Sequence, residues 1–405
     1  MDLNQTPSAN RIHIAFFGMR NAGKSSLMNA VTGQNLAVVS DVKGTTTDPV
    51  LKSMELLPLG PVTIIDTAGL DDTGALGKLR TEKTMQILRK TDIAVLVVDS
   101  TCGISFFDEE ILNLIIKQKI PYVIAYNKID LQKSLKQQLQ TDEHTIFVSA
   151  STGEGIHELK EKLAHFTKTK QEKFILKDIV APKDVVVLVI PIDKAAPKGR
   201  LILPQQQVIR ELLDIGATAV ITQDDNLLST LNNLKEKPRL VITDSQAFAK
   251  VNKIVPKDIE LTSFSILFSR YKGNLQRQVQ AVKVLDTIKD HDKILIAEGC
   301  THHRQCDDIG TVKLPNWIRN YTKANPDFTF TSGTEFPQDV SSYKLIIHCG
   351  GCMVNEREMQ ARLKIAQSQN IPMSNYGTII AYVNGILQRT IQPLHFFDKY
   401  QKALG

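Results

Sequence analysis

The sequence has no hydrophobic run long enough to cross a membrane. Its longer apolar runs, such as Ile93–Val98 and Val185–Ile190, are far short of the roughly 18–20 residues that a spanning helix needs. Met1–Arg11 is polar and holds no hydrophobic signal core, so we expect neither export nor a membrane partner. Cysteine is also scarce. The five cysteines are an odd number, which indicates reduced thiols in the cytoplasm and favours metal binding over disulfides.

The chain also lacks a strong excess of charge of one sign. The net charge is +6 over 405 residues, a weak bias, so we expect no nucleic-acid partner. Apolar residues make up 42% and charged residues 23% of the chain, which is ordinary for a globular protein and excludes wholesale disorder. The length predicts two or three domains.

Short β-rich runs alternate with helical stretches along the chain. The runs in the first 170 residues are 12–17, 62–65, 93–98, 122–126 and 145–148. Strand–helix alternation predicts an α/β fold with mostly parallel sheets and flanking helices. Two further sets of strands and helices follow a Lys-rich stretch at Thr167–Lys177. Their predicted elements include strands at 218–222, 240–243 and 293–297 and helices at 274–289 and 376–387. We therefore predict three α/β domains, at residues 1–172, 173–270 and 271–405.

Residues 18–25 read GMRNAGKS and fit the phosphate-loop pattern G-x-x-x-x-G-K-S. The motif follows a predicted strand and opens a predicted helix, which is the context that it requires. Lys24 is expected to reach the β- and γ-phosphates, and the Ser25 hydroxyl to ligate Mg²⁺. The residues expected around the phosphates are Gly18, Asn21, Ala22, Gly23, Lys24, Ser25 and Ser26.

Three more motifs each follow a predicted strand, at the sheet edge where α/β proteins bind ligands. Their expected site residues are Asp66, Gly69, Asn127, Lys128, Asp130, Ser149 and Ala150. Asp66 can hold Mg²⁺ through water, and the Gly69 N–H can meet the γ-phosphate. The Asp130 carboxylate can accept both N–H groups on the edge of guanine, a donor pair that adenine lacks. The sequence therefore predicts a site for GTP and GDP that hydrolyses GTP.

Cysteine and histidine gather in two short motifs of the third predicted domain. The motifs are Cys300-Thr301-His302 and His348-Cys349-Gly350-Gly351-Cys352. Each follows a predicted strand, and if those strands are parallel neighbours the two motifs meet at one sheet edge. Three thiolates and two imidazoles indicate a metal site. The residues leave open zinc, an iron–sulfur cluster on three cysteines, or no metal, and they leave open the roles of His302, His348 and Cys306.

Residues 11–165 resemble GTPases of the TrmE–Era type. In that family a Gly-Thr-Thr stretch forms the first switch, and Gly44–Asp48 matches it. Leu70 stands where Ras-like proteins carry a water-orienting Gln, and relatives without that Gln use K⁺ held by an Asn that corresponds to Asn21. The resemblance thus implies K⁺-stimulated hydrolysis. The implied catalytic residues are Lys24, Thr46 and Gly69, and the implied Mg²⁺ ligands are Ser25, Thr46 and Asp66.

The whole chain resembles the HydF family of FeFe-hydrogenase maturation GTPases. The resemblance rests on the order of three parts: the GTPase, a block with Pro191–Pro204, and C-x-H…H-C-x-x-C. It implies a 4Fe–4S cluster on Cys300, Cys349 and Cys352, with His302 and His348 as further candidate ligands. It also implies a homodimer that takes a di-iron precursor from radical-SAM maturases to apo FeFe-hydrogenase. The alternative is a GTPase switch with a structural zinc module that acts on RNA or the ribosome.

Overall fold

The computed structural model describes residues 8–34, 50–67, 77–132, 142–168, 173–192, 201–299, 308–333, 335–351 and 354–394. The chain divides into two compact units, Met1–Glu172 and Lys173–Gly405. Within the described residues, none of the helices is both long enough and apolar enough to span a bilayer.

The first unit is built on a six-stranded sheet. Its strands are β1 (Ile12–Phe17), β2 (Val50–Leu56), β3 (Gly60–Asp66), β4 (Ile93–Asp99), β5 (Tyr122–Asn127) and β6 (Thr145–Phe147). They lie in the order β2-β3-β1-β4-β5-β6, and β2 alone runs antiparallel, against β3. The helices described here are α1 (Lys24–Thr32), α2 (Gly77–Lys90), α3 (Phe106–Lys117) and α4 (Ile156–Lys168).

Both faces of this sheet are covered by apolar packing. Ile14 and Phe16 of β1 belong to one hydrophobic cluster, while Ala15 and Phe17 belong to another. Successive side chains of a strand point to opposite faces, so the two clusters lie on the two sides of the sheet. Parallel strands buried on both faces are near-continuous apolar runs, which is why the sequence pattern located them.

The second unit contains two four-stranded sheets, each entirely parallel. One sheet has the order β10-β9-β7-β8 and the other the order β12-β11-β13-β14. The strands are β7 (Val185–Val189), β8 (Thr218–Thr222), β9 (Leu240–Thr243), β10 (Glu260–Ser263), β11 (Lys293–Ala297), β12 (Asp327–Thr331), β13 (Leu345–His348) and β14 (Met373–Asn375).

Nine described α-helices connect and cover these two sheets. They are α5 (Leu203–Ile215), α6 (Leu227–Asn233), α7 (Phe248–Ile254), α8 (Phe264–Lys272), α9 (Leu275–Ala281), α10 (Leu314–Thr322), α11 (Glu356–Ser368), α12 (Tyr376–Val383) and α13 (Leu387–Ile391). One turn of π-helix, Ile309–Lys313, leads into α10, and a 3₁₀ segment, Val282–Thr287, continues α9.

One of the hydrophobic clusters of the second unit spans both of its sheets. It contains Leu188 of β7 and Ile296 of β11, and it also takes in Leu267 and Phe268 of helix α8. The three parallel-sheet regions confirm the predicted α/β fold class. The shared core adds that the second and third regions pack together within one compact unit.

Candidate functional site

The phosphate loop lies between β1 and α1, as the motif predicts. Gly18 has φ +137°, and a Cβ on this residue would lie 2.1 Å from the Val97 carbonyl oxygen, so only glycine fits. Asn21 and Gly23 both have positive φ, and α1 begins at Lys24 with no side-chain cap on its first turn. Backbone N–H groups at such a helix start attract phosphate. The loop geometry fits a bound nucleotide.

Lys24 lies across this loop and is buried. Its Nζ donates to the Gly18 carbonyl oxygen at 2.7 Å and to the Met19 carbonyl oxygen at 2.9 Å. Asp66 ends β3, is buried, and is paired in register with Phe16 of β1. Lys24 therefore opens the helix that follows β1, while the carboxylate that would hold Mg²⁺ through water ends the neighbouring strand β3, as phosphoryl transfer requires. Ser25 and Ser26 occupy the first turn of α1.

Asn127 joins the phosphate loop to the loop that is expected to back the base. Its Nδ2 donates to the Ala22 carbonyl oxygen at 3.0 Å, and its Oδ1 accepts from the Ala150 N–H at 3.0 Å. The side chain is buried. A buried amide with both ends engaged fixes the relative positions of the two loops, because leaving either end unpaired costs free energy.

The Asp130 carboxylate is oriented by two hydroxyl groups. Ser149 Oγ donates to Oδ1 at 2.6 Å and Ser151 Oγ to Oδ2 at 3.2 Å. Ser149 is fully buried, so the carboxylate is held at the end of β5 by groups at the end of β6. This arrangement places a double acceptor where the sequence predicts the guanine edge.

Asp99 is a site residue that the sequence analysis missed. Its Oδ2 lies 2.6 Å from Lys128 Nζ, and Asp99 pairs in register with Asn127 across β4 and β5. Burial raises the pKa of Asp99, but hydrogen bonds from Lys128 and Thr101 outweigh burial and lower it overall. The carboxylate is thus charged and restrains the Lys128 side chain. Its position at the end of β4 was the signal that could have identified it.

The strands that precede the two cysteine motifs are neighbours in the third sheet. Strands β11 and β13 are paired in parallel with Ala297 opposite His348, which confirms the predicted neighbourhood. The Gly299 N–H donates to Cys349 Sγ at 3.0 Å, and the Cys349 N–H donates to the Ala297 carbonyl oxygen at 3.0 Å. Gly299, the residue before Cys300 in the sequence, therefore contacts the sulfur of Cys349. An N–H that donates to sulfur also stabilises a thiolate.

Several predicted site residues lie outside the described residues. They are Thr46, Gly69, Cys300, His302, Cys306 and Cys352. Within the described ranges, no three His, Cys, Asp or Glu side chains form a group that could hold a metal ion. Cys349 is the one proposed cluster cysteine whose surroundings are described. It is half-buried, and its sulfur, with the N–H beside it, fits an iron–sulfur ligand.

His348 belongs to a buried hydrogen-bond chain. Arg362 Nη1 lies 2.9 Å from His348 Nε2, and His348 Nδ1 lies 2.7 Å from the Cys349 carbonyl oxygen. Because Arg362 is only a donor, Nε2 accepts and Nδ1–H donates. Burial, then the charge of Arg362, lowers the pKa of His348 to about 3, so the ring is neutral. Both ring nitrogens are engaged in this arrangement, and neither offers a lone pair to a metal.

Arg362 is the centre of this buried chain. It is 0% exposed. Its Nε donates to Glu358 Oε1 at 2.9 Å and its Nη2 donates to the Gly333 carbonyl oxygen at 2.8 Å. The face of Phe336 lies 5.3 Å from its guanidinium carbon. Through His348, this charged group on α11 fixes the main chain of Cys349.

A phosphate loop between β1 and α1 and a mostly parallel sheet are the features of a P-loop GTPase. Residues 13–128 match a family model described as a 50S ribosome-binding GTPase. Residues 175–273 match the hydrogen maturase F dimerization domain, and residues 276–393 match the hydrogen maturase F tetramerization domain. These two models together match more than half of the chain. The chain therefore belongs to the hydrogen maturase F (HydF) family, and it carries two oligomerisation domains.

Similar proteins cover the GTPase region. The chain is 39% identical over 154 residues to the tRNA modification GTPase MnmE of Chromobacterium violaceum, covering 38% of this chain and 34% of that protein. It is 36% identical over 175 residues to GTPase Der of Wolinella succinogenes, covering 40% and 37%. It thus spans about a third of the length of these relatives. The structure of an Aquifex aeolicus Era variant bound to GDP·AlF₄⁻ is 20% identical, with a TM-score of 0.34 over 52% of this chain and 92% of that one.

Proposed function

We propose that this protein is a GTP-hydrolysing scaffold that binds a 4Fe–4S cluster and carries a di-iron precursor to apo FeFe-hydrogenase. The proposal extends the family assignment to the chemistry of this chain. Cys300, Cys349 and Cys352 would hold the cluster, and three cysteines leave one iron open to an exchangeable ligand. His302 is kept as a candidate for that position. We assign His348 to holding the Cys349 backbone. Free thiolates require a reducing compartment, which suits the cytoplasm.

The observation that carries this proposal is the 3.0 Å hydrogen bond from the Gly299 N–H to Cys349 Sγ. It joins two motifs that are 50 residues apart in sequence, and it brings the residue before Cys300 to the sulfur of Cys349. Gly351, which precedes Cys352, is buried. If Cys300 and Cys352 join Cys349 there, the three thiolates would be the donor set of a cluster with a labile iron.

The GTPase site would work by positioning and electrostatics. Lys24 and Mg²⁺ on Ser25, Thr46 and Asp66 would neutralise phosphate charge, and Gly69 would contact the γ-phosphate. Asn21, with φ +61° in the phosphate loop, would hold K⁺ beside the phosphates, where a cation can act as an arginine finger does. We expect GTP turnover to fall when Na⁺ replaces K⁺, and Asn21→Ala to remove that difference.

The first test is metal content. Protein reconstituted with iron and sulfide without oxygen should be brown, contain about four irons per chain, and give a paramagnetic signal when reduced. Colourless protein that carries one zinc per chain would refute the cluster and support the structural zinc module. Specific RNA binding by that zinc form would then favour the RNA- or ribosome-directed alternative.

A pair of substitutions tests whether the two sites are separate. Cys349→Ala should abolish iron binding while GTP hydrolysis persists, and Lys24→Ala should abolish hydrolysis while iron binding persists. Cys102→Ala is the matched control, because Cys102 is an exposed cysteine in the GTPase unit, and it should change neither property. Loss of both properties in Cys349→Ala would contradict the modular proposal.

The proposed partners are radical-SAM hydrogenase maturases, apo FeFe-hydrogenase and a second copy of this chain. The two oligomerisation domains support the last of these. We expect GTP to act on partner release, because switch segments near the γ-phosphate rearrange on hydrolysis. Affinities for the maturases and the hydrogenase would be compared in the nucleotide-free, GDP and GTP-analogue states. Identical affinities in all three states would refute this coupling.

A further inference from the structure

Lys272 is a buried lysine whose ammonium group points at the second cysteine motif. It is the last residue of helix α8 and is only 3% exposed. Its Nζ lies 3.2 Å from the Val354 carbonyl oxygen and 3.4 Å from the Gly351 carbonyl oxygen. Cys352 lies between these two residues in sequence. The helix belongs to the region that matches a dimerization domain, and the motif belongs to the region that matches a tetramerization domain.

The turn that Lys272 contacts is tight. The Val354 N–H donates to the Gly351 carbonyl oxygen at 3.3 Å. Gly351 has φ +64°, and a Cβ on it would lie 2.4 Å from the Met359 methyl carbon. Gln360 Nε2 also donates to the Lys272 carbonyl oxygen at 2.9 Å. The end of α8 is therefore fastened both to the cysteine turn and to the following helix, α11.

A buried ammonium group costs free energy unless acceptors or negative charge compensate it. Here it has two carbonyl oxygens, and the face of Phe268 lies 5.7 Å away. Arg362 reaches the motif through His348, but its charge is balanced by the buried Glu358 carboxylate. Lys272 therefore holds a positive charge next to the main chain on either side of Cys352 in the sequence, where a bound anion would be stabilised. A 4Fe–4S core on three thiolates is such an anion, because it carries one net negative charge when oxidised and two when reduced.

We propose that Lys272 is a positioning residue for the proposed cluster: it clamps the Gly351–Val354 turn to helix α8, and its charge favours the reduced cluster. The inference rests on the proposed function. The redox step transfers one electron from a reductant such as dithionite to the cluster, and no covalent bond forms or breaks. Since that electron adds negative charge, a cation held nearby raises the reduction potential, as net charge and hydrogen bonds do at other clusters.

The experiment compares three variants of the full-length protein after anaerobic reconstitution. Lys272→Met keeps the length of the side chain and removes its charge and its donors. Lys272→Arg keeps both and should restore the wild-type potential. Lys253→Met, on α7 at an exposed position, is the matched control. We measure iron content, and the midpoint potential by EPR-monitored titration with dithionite and mediators.

In Lys272→Met we expect the equilibrium constant for reduction to fall roughly tenfold, which is about 59 mV for a one-electron couple. Lys272→Arg and Lys253→Met should stay near the wild-type value. A residue with only a structural role would change iron content or thermal stability and leave the potential of the bound cluster unchanged. Equal potentials in Lys272→Met and the wild type would overturn the proposal.

A second measurement tests the clamp without metal. In metal-free protein, hydrogen exchange of the amides at 350–355 should be faster in Lys272→Met than in the wild type. In Lys253→Met the exchange rate should equal that of the wild type. If the wild type takes up zinc and no iron, the proposed function fails, and this measurement still decides the clamp. Unchanged exchange in that segment would overturn it, while faster exchange confined to that segment would support it.

Discussion

Replacing Arg362 with Met tests whether the buried charged chain stabilises the second unit. Arg362 is 0% exposed and its partner Glu358 is 1% exposed. The variant keeps the bulk of the side chain and removes the guanidinium. It leaves a buried carboxylate without its cation, and the Glu358 Oε2 atom already has no hydrogen-bond partner among the described residues.

The expected loss is large. Breaking a buried ion pair from one side costs about 3–5 kcal/mol, and the acceptors at His348 and Gly333 lose a donor as well. The double variant Arg362→Met/Glu358→Met also removes the Glu358 carboxylate, which the single variant leaves buried without its cation. We expect the double variant to be more stable than the sum of the two single effects by about 1–3 kcal/mol.

The assay is urea unfolding of the metal-free full-length protein, followed by tryptophan fluorescence. Trp317 is the only tryptophan in the sequence, and it packs against the core of the second unit, so its signal reports on that unit. Arg210→Met is the control. Arg210 pairs with Asp214 at the same i,i+4 spacing but is 76% exposed, so its loss should leave the free energy of unfolding nearly unchanged.

The result that would refute this reasoning is a small or additive effect. If Arg362→Met costs less than about 1 kcal/mol, the pair is not buried as described. If the double variant loses the full sum of the single effects, the two charges do not stabilise each other in the folded state.

Three further predictions concern individual groups. Gly18→Ala should weaken GDP binding more than tenfold, or about 1.4 kcal/mol, because the added Cβ would clash with the Val97 carbonyl oxygen. Gly33→Ala is the control and should leave GDP binding unchanged, because no atom lies within 4 Å of its added Cβ. Calorimetric titration with GDP measures both affinities. Asp130→Asn should shift the nucleotide preference from GDP to xanthosine diphosphate, because the amide N–H can donate to the carbonyl that xanthine has in place of the amino group of guanine. Competition between the two nucleotides measures this preference. An unchanged preference would contradict the assignment of Asp130. The pKa of His348 is about 3 in the folded protein and 6.5 in the unfolded chain. As the pH falls, the unfolded chain is therefore protonated at His348 before the folded protein is, and the neutral ring contributes its full stabilisation only above about pH 6.5. As pH falls from there toward 3, the free energy of unfolding of metal-free protein should fall by up to about 1.4 kcal/mol per pH unit, and His348→Gln should reduce that slope.

The sequence located the inner strands of the three sheets and also β8, an edge strand in which no residue is fully buried. β1, β8, β9 and β11 have the predicted bounds, because each is a β-rich run closed by turn or polar residues. The pattern did not predict β2, an edge strand whose side chains alternate between exposed and half-buried. Nor did it predict β10, whose sequence ELTS carries two hydroxyl residues and one carboxylate. Burial of polar strands is decided by tertiary packing, which a single sequence does not display.

The helices differ from prediction where local geometry intervenes. The predicted helix at 376–387 is two helices, α12 and α13, separated at Gly385, which has φ +69°. A residue in this conformation ends a helix. The predicted helix at 274–289 ends at Ala281 and continues as 3₁₀ turns. The hydrophobic spacing persists through both breaks, so periodicity alone could not detect them.

The nucleotide motifs were predictable because short contiguous patterns encode them. The buried cations beside the cysteine motif were not. No sequence motif singles out Arg362 or Lys272, and charged residues on helices are usually solvated. A signal did exist: Glu358 and Arg362 fall on the same stripe of α11 as Met359, Leu363 and Ala366, all of which are buried. Two opposite charges four residues apart within an apolar stripe indicate a buried pair.

The common core of the second unit has a consequence for synthesis on the ribosome. Leu188, Leu267 and Phe268 pack in one cluster with Ile294 through Leu394 of the later region, so the earlier region emerges before much of its packing partner exists. At roughly 5–20 residues per second, that partner arrives of the order of 10 s later. During this interval the nascent chain displays uncovered apolar surface, a natural target for chaperones, whereas the GTPase unit can already be complete.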